Sequence, residues 1–498
     1  MQPWERFKAI QKKLKAYSLV LGIASWDSHT EAPKKCFPYR ADMLSIISGE
    51  SFALQTSPEY VGAVEALYAG QDTLSTQDRE EVHQAKRALD KILKIPKEVY
   101  TEYVKLLNMS QRVWEDAKAK DDYDLFEPYL DQIIATQKKL VAYRSDTADP
   151  YDVLLDDFEA GMSMAKYDTF FNTVKGELVP FVKEVLAARP TEKPAFIDAF
   201  YARGEQKQFV EKLMEIFQYD TDRGLLKESV HPFTWNTHSQ DVRFTVRYLE
   251  NYVFSSIFAA IHELGHALYE MNIAEALDTT NLNTGTSMGI HESQSRFYEN
   301  IIGRDKAFWS QHYQSLQAIF PKQLGKVSLD DFYLGINWVE ESFIRVEADE
   351  LTYPLHILIR YEMERAIFNE GVDVKSLPTL WNEKMKTYLN IEPKTAGEGI
   401  LQDVHWSGGA FGYFPTYALG SAYAAQFFYT MKQDLDFTAL LETGDLTPIN
   451  NWLKDKIHQY GKIKSPEALI LDVTGEPFDP QYYIRYLKEK YSALYLKG

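Results

Sequence analysis

The feature that most constrains the fold is the stretch at residues 258–269, which reads Phe-Ala-Ala-Ile-His-Glu-Leu-Gly-His-Ala-Leu-Tyr. On a helix, His262 and His266 lie four residues apart, so both imidazoles project from one face and can bind one tetrahedral metal ion. Glu263 lies about 100° further round the same turn, where its carboxylate can face a water on that metal rather than the metal itself. This is the H-E-x-x-H pattern of zinc hydrolases.

The residues around this motif favour a buried helix. Ile257, Ile261 and Leu264 recur at helical spacing, and the segment contains no proline. Two histidines in such a core are costly unless they are satisfied. A pair of core histidines hydrogen-bonded to carboxylates is the structural alternative, but the intact pattern favours a metal site.

A third ligand can come from the segments that follow. Residues 281–289 are predicted to form a loop, and residues 291–300 can return a side chain to the metal. Glu292 and Glu299 share one helix face two turns apart, and Glu270 lies one turn beyond His266. Spacing alone leaves five candidates open, namely Glu270, Glu275, His291, Glu292 and Glu299.

The remaining segments show only their general type of secondary structure. Residues 4 to about 180 have helical periodicity, with long segments such as Thr76 to Leu93 and Lys97 to Lys120. Residues 241–248 alternate apolar with polar, which predicts a half-buried strand just before the metal helix. Such a strand could hold an extended peptide by backbone pairing, although a small hairpin without substrate contact is an equal alternative.

Two later segments are relevant to a site. Residues 328–370 are predicted to be helical, and there Arg345 and Asp349 would form an ordinary i,i+4 salt bridge. Residues 399–420 gather glycine, histidine, tryptophan and tyrosine in one loop-rich stretch, which is typical of an active-site wall.

Charge and cysteine content limit the partners and the compartment. The 498-residue chain has a formal net charge of -18, which argues against nucleic acid or an anionic membrane as a partner. No apolar run is long enough to span a bilayer. The single cysteine, Cys36, allows no intrachain disulfide and fits a reducing compartment, so we expect a cytoplasmic protein.

Several segments, taken in order, carry a family resemblance. They are Asp241-x-Arg243-x-Thr245, His262-Glu263-x-x-His266, His291-Glu292-Ser293-Gln294-Ser295-Arg296, Ile344-Arg345-x-x-Ala348-Asp349 and Gly399-x-x-Gln402-Asp403-x-His405-Trp406. With them, essentially the whole chain resembles the carboxypeptidase Taq (thermostable carboxypeptidase 1) family of zinc metallocarboxypeptidases.

The resemblance implies a mainly α fold. It would be a large helical gluzincin-type body with a deep substrate groove and a small β-sheet next to the metal helix, similar to neurolysin and angiotensin-converting enzyme. Residues 1–498 would form one catalytic domain, with an N-terminal helical lobe at about 1–190, a metal-site and groove-lining part at about 230–425 and C-terminal helices at about 426–498. The family generally acts as a homodimer.

The resemblance also implies roles for single residues. His262, His266 and Glu292 would bind one Zn²⁺ per subunit, with Co²⁺ able to replace it, and Glu299 and His291 would orient ligands. Glu263 would be the catalytic base, His405 and Tyr417 would stabilise the oxyanion with Tyr413 competing for the tyrosine role, and Arg345 would grip the C-terminal carboxylate of the substrate. Tyr413, Asp241 and Arg243 are the further candidates for substrate contacts.

The expected activity is therefore that of a metal-dependent carboxypeptidase that releases C-terminal amino acids from peptides with broad specificity, by Glu-assisted attack of a metal-bound water. An endopeptidase or dipeptidyl carboxypeptidase on the same scaffold is the alternative, and in it Arg345 would be only structural. A non-catalytic helical binding protein is the remote alternative.

Overall fold

The computed structural model describes residues 2–145 and 149–496. Its N-terminal part is helical, as predicted. The helices are α1 (Pro3–Thr30), α2 (Phe37–Gln55), α3 (Pro58–Ala69), α4 (Thr76–Leu93), α5 (Lys97–Lys120), α6 (Tyr123–Arg144), α7 (Pro150–Phe158), α8 (Met164–Ala188) and α9 (Arg203–Ile216). In α4, the Ser75 side chain accepts a hydrogen bond from the Asp78 backbone and caps the first turn, and Val82, Ala85 and Leu89 form its buried face.

A small three-stranded sheet follows. It contains β1 (Leu226–Glu228), β2 (Thr234–His238) and β3 (Asp241–Val246), in the order β1-β3-β2. β3 pairs parallel with β1 and antiparallel with β2, with Thr234 opposite Phe244. Val242, Phe244 and Val246 are fully buried, which confirms the predicted strand, and β2 is an outer strand of the sheet.

The metal helix and the helices after it form the middle of the molecule. They are α10 (Val253–Met271), α11 (Met288–Arg296), α12 (Lys306–Ile319), α13 (Pro321–Leu324), α14 (Leu329–Ile336) and α15 (Tyr353–Arg365). α11 continues as a short π-helix, Phe297–Ile302.

The predicted helical region at residues 328–370 is interrupted. Between α14 and α15 the chain is irregular apart from a 3₁₀ turn, Arg345–Glu347. The Asp349 carboxylate accepts hydrogen bonds from the backbone of Leu351 and Thr352, and Pro354 lies in the first turn of α15. The expected i,i+4 pair of Arg345 with Asp349 is therefore wrong, because these residues do not share a helix.

The C-terminal part contains α16 (Leu377–Leu389), α17 (Pro415–Asp434), α18 (Phe437–Thr443), α19 (Thr447–Lys456), α20 (Pro466–Thr474) and α21 (Gln481–Tyr495). One hydrophobic core contains residues from Tyr103 to Tyr495, and α1, α3 and α4 bury a smaller core of their own around Phe7 and Val64. In the described part of the chain, no helix is long and apolar enough to cross a membrane.

Candidate metal centre

Three ligand atoms converge at the contact between α10 and α11. Oε2 of Glu292 lies 3.6 Å from Nε2 of His262 and 3.6 Å from Nε2 of His266. Ligand atoms at bond lengths of about 2.1 Å in a tetrahedral site lie about 3.4 Å apart. The donor set of two imidazoles and one carboxylate therefore fits a single divalent ion.

Two glycines let the helices approach closely enough to form this site. A Cβ atom on Gly265 of α10 would lie 2.7 Å from the Cα of Ser295, and one on Gly420 of α17 would lie 2.6 Å from the Cβ of Glu292. Both distances are shorter than real Cβ contacts, so a side chain at either position would displace the α11 backbone. α11 is thus held between α10 and α17.

His262 is oriented by a carboxylate. Its Nδ1 donates a hydrogen bond to Glu299 at 2.9 Å, which leaves Nε2 directed towards Glu292. Burial favours the neutral form of Glu299, but Arg296 and His262 outweigh it and lower the pKa of this carboxyl to about 2. Glu299 lies in the π-helix, and Arg304 also approaches it, at 3.4 Å.

His266 is oriented by a relay. If its Nε2 faces the metal, its Nδ1 donates to Nδ1 of His291 at 2.6 Å, and Nε2 of His291 donates to Glu270 at 2.8 Å. The buried Glu270 carboxylate also accepts hydrogen bonds from the side chains of Asn236 and Thr284. Glu270 is therefore placed to orient His266 through His291, and it lies outside the ligand cluster.

The structure distinguishes the two remaining candidates for the third ligand by their positions. Glu292 joins the ligand cluster, whereas Glu275 is exposed in a 3₁₀ turn. The second oxygen of Glu292 accepts a hydrogen bond from Arg296 at 2.7 Å. Burial would raise the pKa of Glu292, but Arg296 and His262 hold it well below the usual range, so this carboxylate is ionised.

Glu263 lies beside the ligands without joining them. It is 6% exposed and lines the same groove. Its Oε2 accepts a hydrogen bond from the hydroxyl of Thr234 on β2 at 2.7 Å. Burial raises the pKa of Glu263 above the usual value, which makes its carboxylate a better proton acceptor.

The tyrosine wall, defined as His405, Tyr413 and Tyr417, consists of neutral groups, in contrast to the ionised carboxylates next to the two histidines. Tyr413 and Tyr417 line the groove with the ligands, and the Tyr417 hydroxyl lies 3.3 Å from Nε2 of His405. Burial lowers the pKa of His405 to about 4 and raises the pKa values of both tyrosines. All three side chains are therefore neutral hydrogen-bonding groups near pH 7.

Arg345 lies behind this wall. It is 6% exposed, and its Nε and Nη2 donate to Asp403 at 3.0 and 2.9 Å. Its guanidinium carbon lies 5.1 Å from the centre of the Tyr417 ring. Arg345 is not among the described residues that line the groove. Asp403 pairs with Arg360 as well, at 2.6 Å.

Asp241 and Arg243, the predicted substrate contacts on β3, are not among the described residues that line the groove. Asp241 and Arg243 pair with each other at 2.6 and 2.8 Å, and Arg243 stacks near Trp235. Thr234 and Asn236 of the neighbouring strand line the groove instead. Thr234 and Asn236 were not predicted from the sequence, although their two-residue spacing places them on one face of a strand.

The groove is large and strongly charged. Its volume is about 1250 Å³, and it extends from the metal centre to α4. Its cationic side chains are Lys86, Arg87, Lys91, Lys94, Arg144, Lys462 and Lys464. Seven carboxylates line it as well, so the groove carries charges of both signs, namely Glu80, Asp90, Asp156, Asp157, Glu263, Glu270 and Glu292.

Known proteins are similar to this chain over nearly its whole length. The family model described as carboxypeptidase Taq (M32) metallopeptidase matches residues 6–491. The chain is 47% identical to carboxypeptidase 1 of Bacillus subtilis, covering 99% of the chain and 98% of that protein. It is 36% identical to thermostable carboxypeptidase 1 of Thermus thermophilus, covering 96% of each. A solved structure of Pyrococcus furiosus carboxypeptidase matches with a TM-score of 0.95 at 36% identity, covering 99% of both chains.

Proposed function

This chain belongs to the carboxypeptidase Taq (M32) family of metallopeptidases and is a metal-dependent carboxypeptidase, and we propose that it removes C-terminal amino acids from peptides with broad side-chain acceptance. The observation that carries this proposal is the convergence of His262, His266 and Glu292 beside Glu263 in one deep groove. Peptide substrates fit a groove of this size, and β2 offers an outer strand for backbone pairing.

His262, His266 and Glu292 would hold one Zn²⁺ per subunit, with Co²⁺ able to replace it. Such an ion polarises the scissile carbonyl and lowers the pKa of a bound water to about 7. Glu299 and His291 fix the ring orientation of the two histidines, and this raises their strength as ligands. The support for this assignment is the fit of the donor set, in which each histidine has an outer partner.

The chain's own groups carry the proton transfers. Glu263 takes a proton from the attacking water and passes it to the leaving amine, while Thr234 keeps its carboxylate in place. Tyr417 donates a hydrogen bond to the oxygen that becomes negative, and His405 orients its hydroxyl. Tyr413 is the competing donor, because it lines the same part of the groove.

Recognition of the C-terminal carboxylate is assigned to Arg345 by the family resemblance. The guanidinium would have to exchange Asp403 for the substrate and become accessible behind Tyr417. This engagement of Arg345 is also the observation that favours the second candidate function, an endopeptidase or dipeptidyl carboxypeptidase, which needs no grip at this position.

A homodimer is proposed from an exposed apolar face. α2 buries none of its side chains, and large apolar residues of α1 and α2 are solvent-exposed, namely Leu19, Val20, Ile23, Phe37, Tyr39, Met43, Ile46 and Phe52. A second copy of the chain would cover this face. Ile46→Lys should shift the mass measured by light scattering from dimer to monomer, and an unchanged mass would place the interface elsewhere.

The organisation and location of the protein complete the proposal. One catalytic domain over residues 1–498 is supported by the hydrophobic core that contains residues from Tyr103 to Tyr495, and by α4, which has a separate small core but lines the same groove as the proposed metal ligands. A cytoplasmic location is supported by the single free cysteine, Cys36.

The test is hydrolysis of one blocked dipeptide as free acid and as C-terminal amide, by metal-loaded protein beside Glu263→Gln. Cleavage of the free acid alone, lost in the variant, supports the carboxypeptidase. Cleavage of the amide as well supports the endopeptidase. Absence of cleavage despite a bound stoichiometric metal would make the metal structural and overturn the catalytic function.

A further inference from the structure

Lys462 differs from the other cations of the groove. Six of the seven lysine and arginine side chains that line it have a described partner: Lys86 with Glu65, Arg87 with Asp156, Lys91 and Arg144 with Asp157, Lys94 with the carbonyl of Arg144, and Lys464 with Asp472. The ammonium of Lys462 has no hydrogen bond or ion pair to any described residue. It is the cation of this groove that is free to bind a ligand.

The backbone places this side chain firmly. The Lys462 amide donates to the carbonyl of Leu282 at 3.0 Å, and the Thr286 hydroxyl donates to the carbonyl of Gly461 at 2.7 Å. Gly461 has φ +48°, and a Cβ there would collide with the Leu282 carbonyl, so the close approach requires glycine. Lys462 is thereby fixed beside the loop whose Thr284 and Gly285 donate hydrogen bonds to Glu270.

Its surroundings compensate the positive charge only in part. Burial lowers the pKa of Lys462, Glu270 partly opposes this, and Lys91 and Arg87 lower it further. The Glu270 carboxylate is already engaged by His291, Thr284, Asn236 and the backbone. A half-buried cation without a partner is unfavourable, and an incoming anion would relieve that cost.

We propose that Lys462 binds a carboxylate of the peptide substrate, either the C-terminal α-carboxylate or the acidic side chain of a residue next to the cleaved bond. The inference rests on the proposed function, because it assigns part of the same groove. Lys462 can act without losing an existing partner, whereas Arg345 must first leave Asp403. Lys462 is thus a second cation for recognising the substrate, on the Glu270 side of the metal centre.

The kinetic test compares Lys462→Met and Lys462→Arg with the parent, all loaded with metal. Four blocked dipeptides with free C-termini are used, with Glu or Gln at the last position or at the one before it. Lys462→Met should lower kcat/KM about 10- to 100-fold, mainly through KM, the size expected for a lost charge-assisted hydrogen bond. Lys462→Arg should recover most of it, and Lys464→Met, whose ammonium is already paired, should lose less than about threefold.

The pattern of losses identifies the carboxylate. An equal loss on all four peptides assigns Lys462 to the C-terminal carboxylate, and a loss confined to the Glu peptides assigns it to a side-chain subsite. Unchanged KM and kcat on every peptide would overturn the proposal. Lys462→Gln and circular dichroism cover the case in which the Met variant is misfolded.

A binding measurement separates this inference from the proposed function. N-acetyl-dialanine, as free acid and as amide, is titrated into metal-loaded Glu263→Gln protein with and without Lys462→Met. Preference for the acid that depends on Lys462 supports the inference even if the parent cuts no peptide. Equal binding of acid and amide by both proteins would contradict the α-carboxylate assignment even if the parent is an active carboxypeptidase.

Discussion

The two sides of the groove at the metal centre handle charge in opposite ways. On the ligand side, Glu292 and Glu299 have pKa values held low by arginines in direct contact, and Glu292 directs its negative charge at the two histidines while Glu299 holds Nδ1 of His262. On the tyrosine wall, the charged pair of Arg345 and Asp403 is buried behind, and Tyr417 presents a neutral hydroxyl to the groove.

This difference matches two different tasks. An ionised carboxylate is suited to holding a cation, because opposite charges attract more strongly where water is excluded. Neutral donors are suited to a charge that develops during the reaction, because they are oriented beforehand and have no counterion to release. Experiments that change one side alone should therefore separate metal binding from stabilisation of the transition state.

The largest effect is expected from Glu263→Gln, which removes the proposed catalytic base. We expect kcat to fall by about 10²- to 10⁴-fold, because the amide cannot accept the proton of the attacking water. Metal content, measured by mass spectrometry of the dialysed protein, should stay at the parent level. A variant that keeps its kcat would assign the proton transfer to another group.

The next effect tests the tyrosine wall. Tyr417→Phe should lower kcat by about 10²- to 10³-fold at unchanged metal content, since it removes one oxyanion donor. Tyr413→Phe is the matched control, because it deletes the same atom from the adjacent ring. If the loss follows Tyr413 instead, the two tyrosines exchange roles.

Substitutions on the ligand side should change the affinity for the metal. Glu299→Gln and Glu270→Gln should each weaken metal binding about 10- to 100-fold, because each removes the carboxylate that orients one ligand histidine. Activity measured against free zinc concentration should recover at excess metal in both. Glu275→Gln, an exposed carboxylate outside the cluster, is the control, and a loss that excess metal does not reverse would contradict a purely orienting role.

The smallest expected effect is on the pH dependence of stability. In this property the two sides are alike, because each has one buried carboxyl with a raised pKa. Glu159 accepts hydrogen bonds from Gly289 and Ser287 at the start of α11, and Glu364 accepts them from Gly412 and Trp406 beside the tyrosine wall. Burial raises the pKa of each carboxyl to about 7.

Because these pKa values lie above those of the unfolded chain, the folded state binds more protons between about pH 4.5 and 7. The contribution of each carboxyl to stability is full below that window and declines as pH rises through it. Glu159→Gln or Glu364→Gln should flatten the fall of Tm between pH 5 and 8 by about 3 °C, measured by differential scanning fluorimetry. An unchanged slope would place their pKa values near the ordinary 4.5.

Much of the fold was predictable because it is local. Thr76–Leu93 and Lys97–Lys120 have the same bounds in the prediction and in the structure, since amphipathic spacing and capping decide them. The break at residues 337–352 was missed, because it depends on the Asp349 carboxylate capping the backbone rather than on hydrophobic spacing.

In the candidate site, too, local features could be predicted and long-range contacts could not. The face shared by His262 and His266 follows from four-residue spacing on one helix, whereas the choice among the third-ligand candidates depends on how closely α11 packs against α10. The pairing of Arg345 with Asp403 joins positions 58 residues apart, and no sequence period reports such a contact. The roles of these residues stay predictions.

The glycine contacts around α11 have a mechanical consequence. Gly265 lies against the backbone of Gln294 and Ser295, and Gly420 lies against Cβ and Cγ of Glu292, so the two glycines set the distance of Glu292 from the two histidines through closely packed atoms. A cation that needs bonds of 2.3–2.6 Å and six or more oxygens, as calcium does, would have to push α11 into α17. Ion selectivity in this cage would therefore depend on ionic radius and backbone stiffness as much as on ligand chemistry, and an engineer who wished to admit a larger ion would have to reshape α17 before changing any ligand.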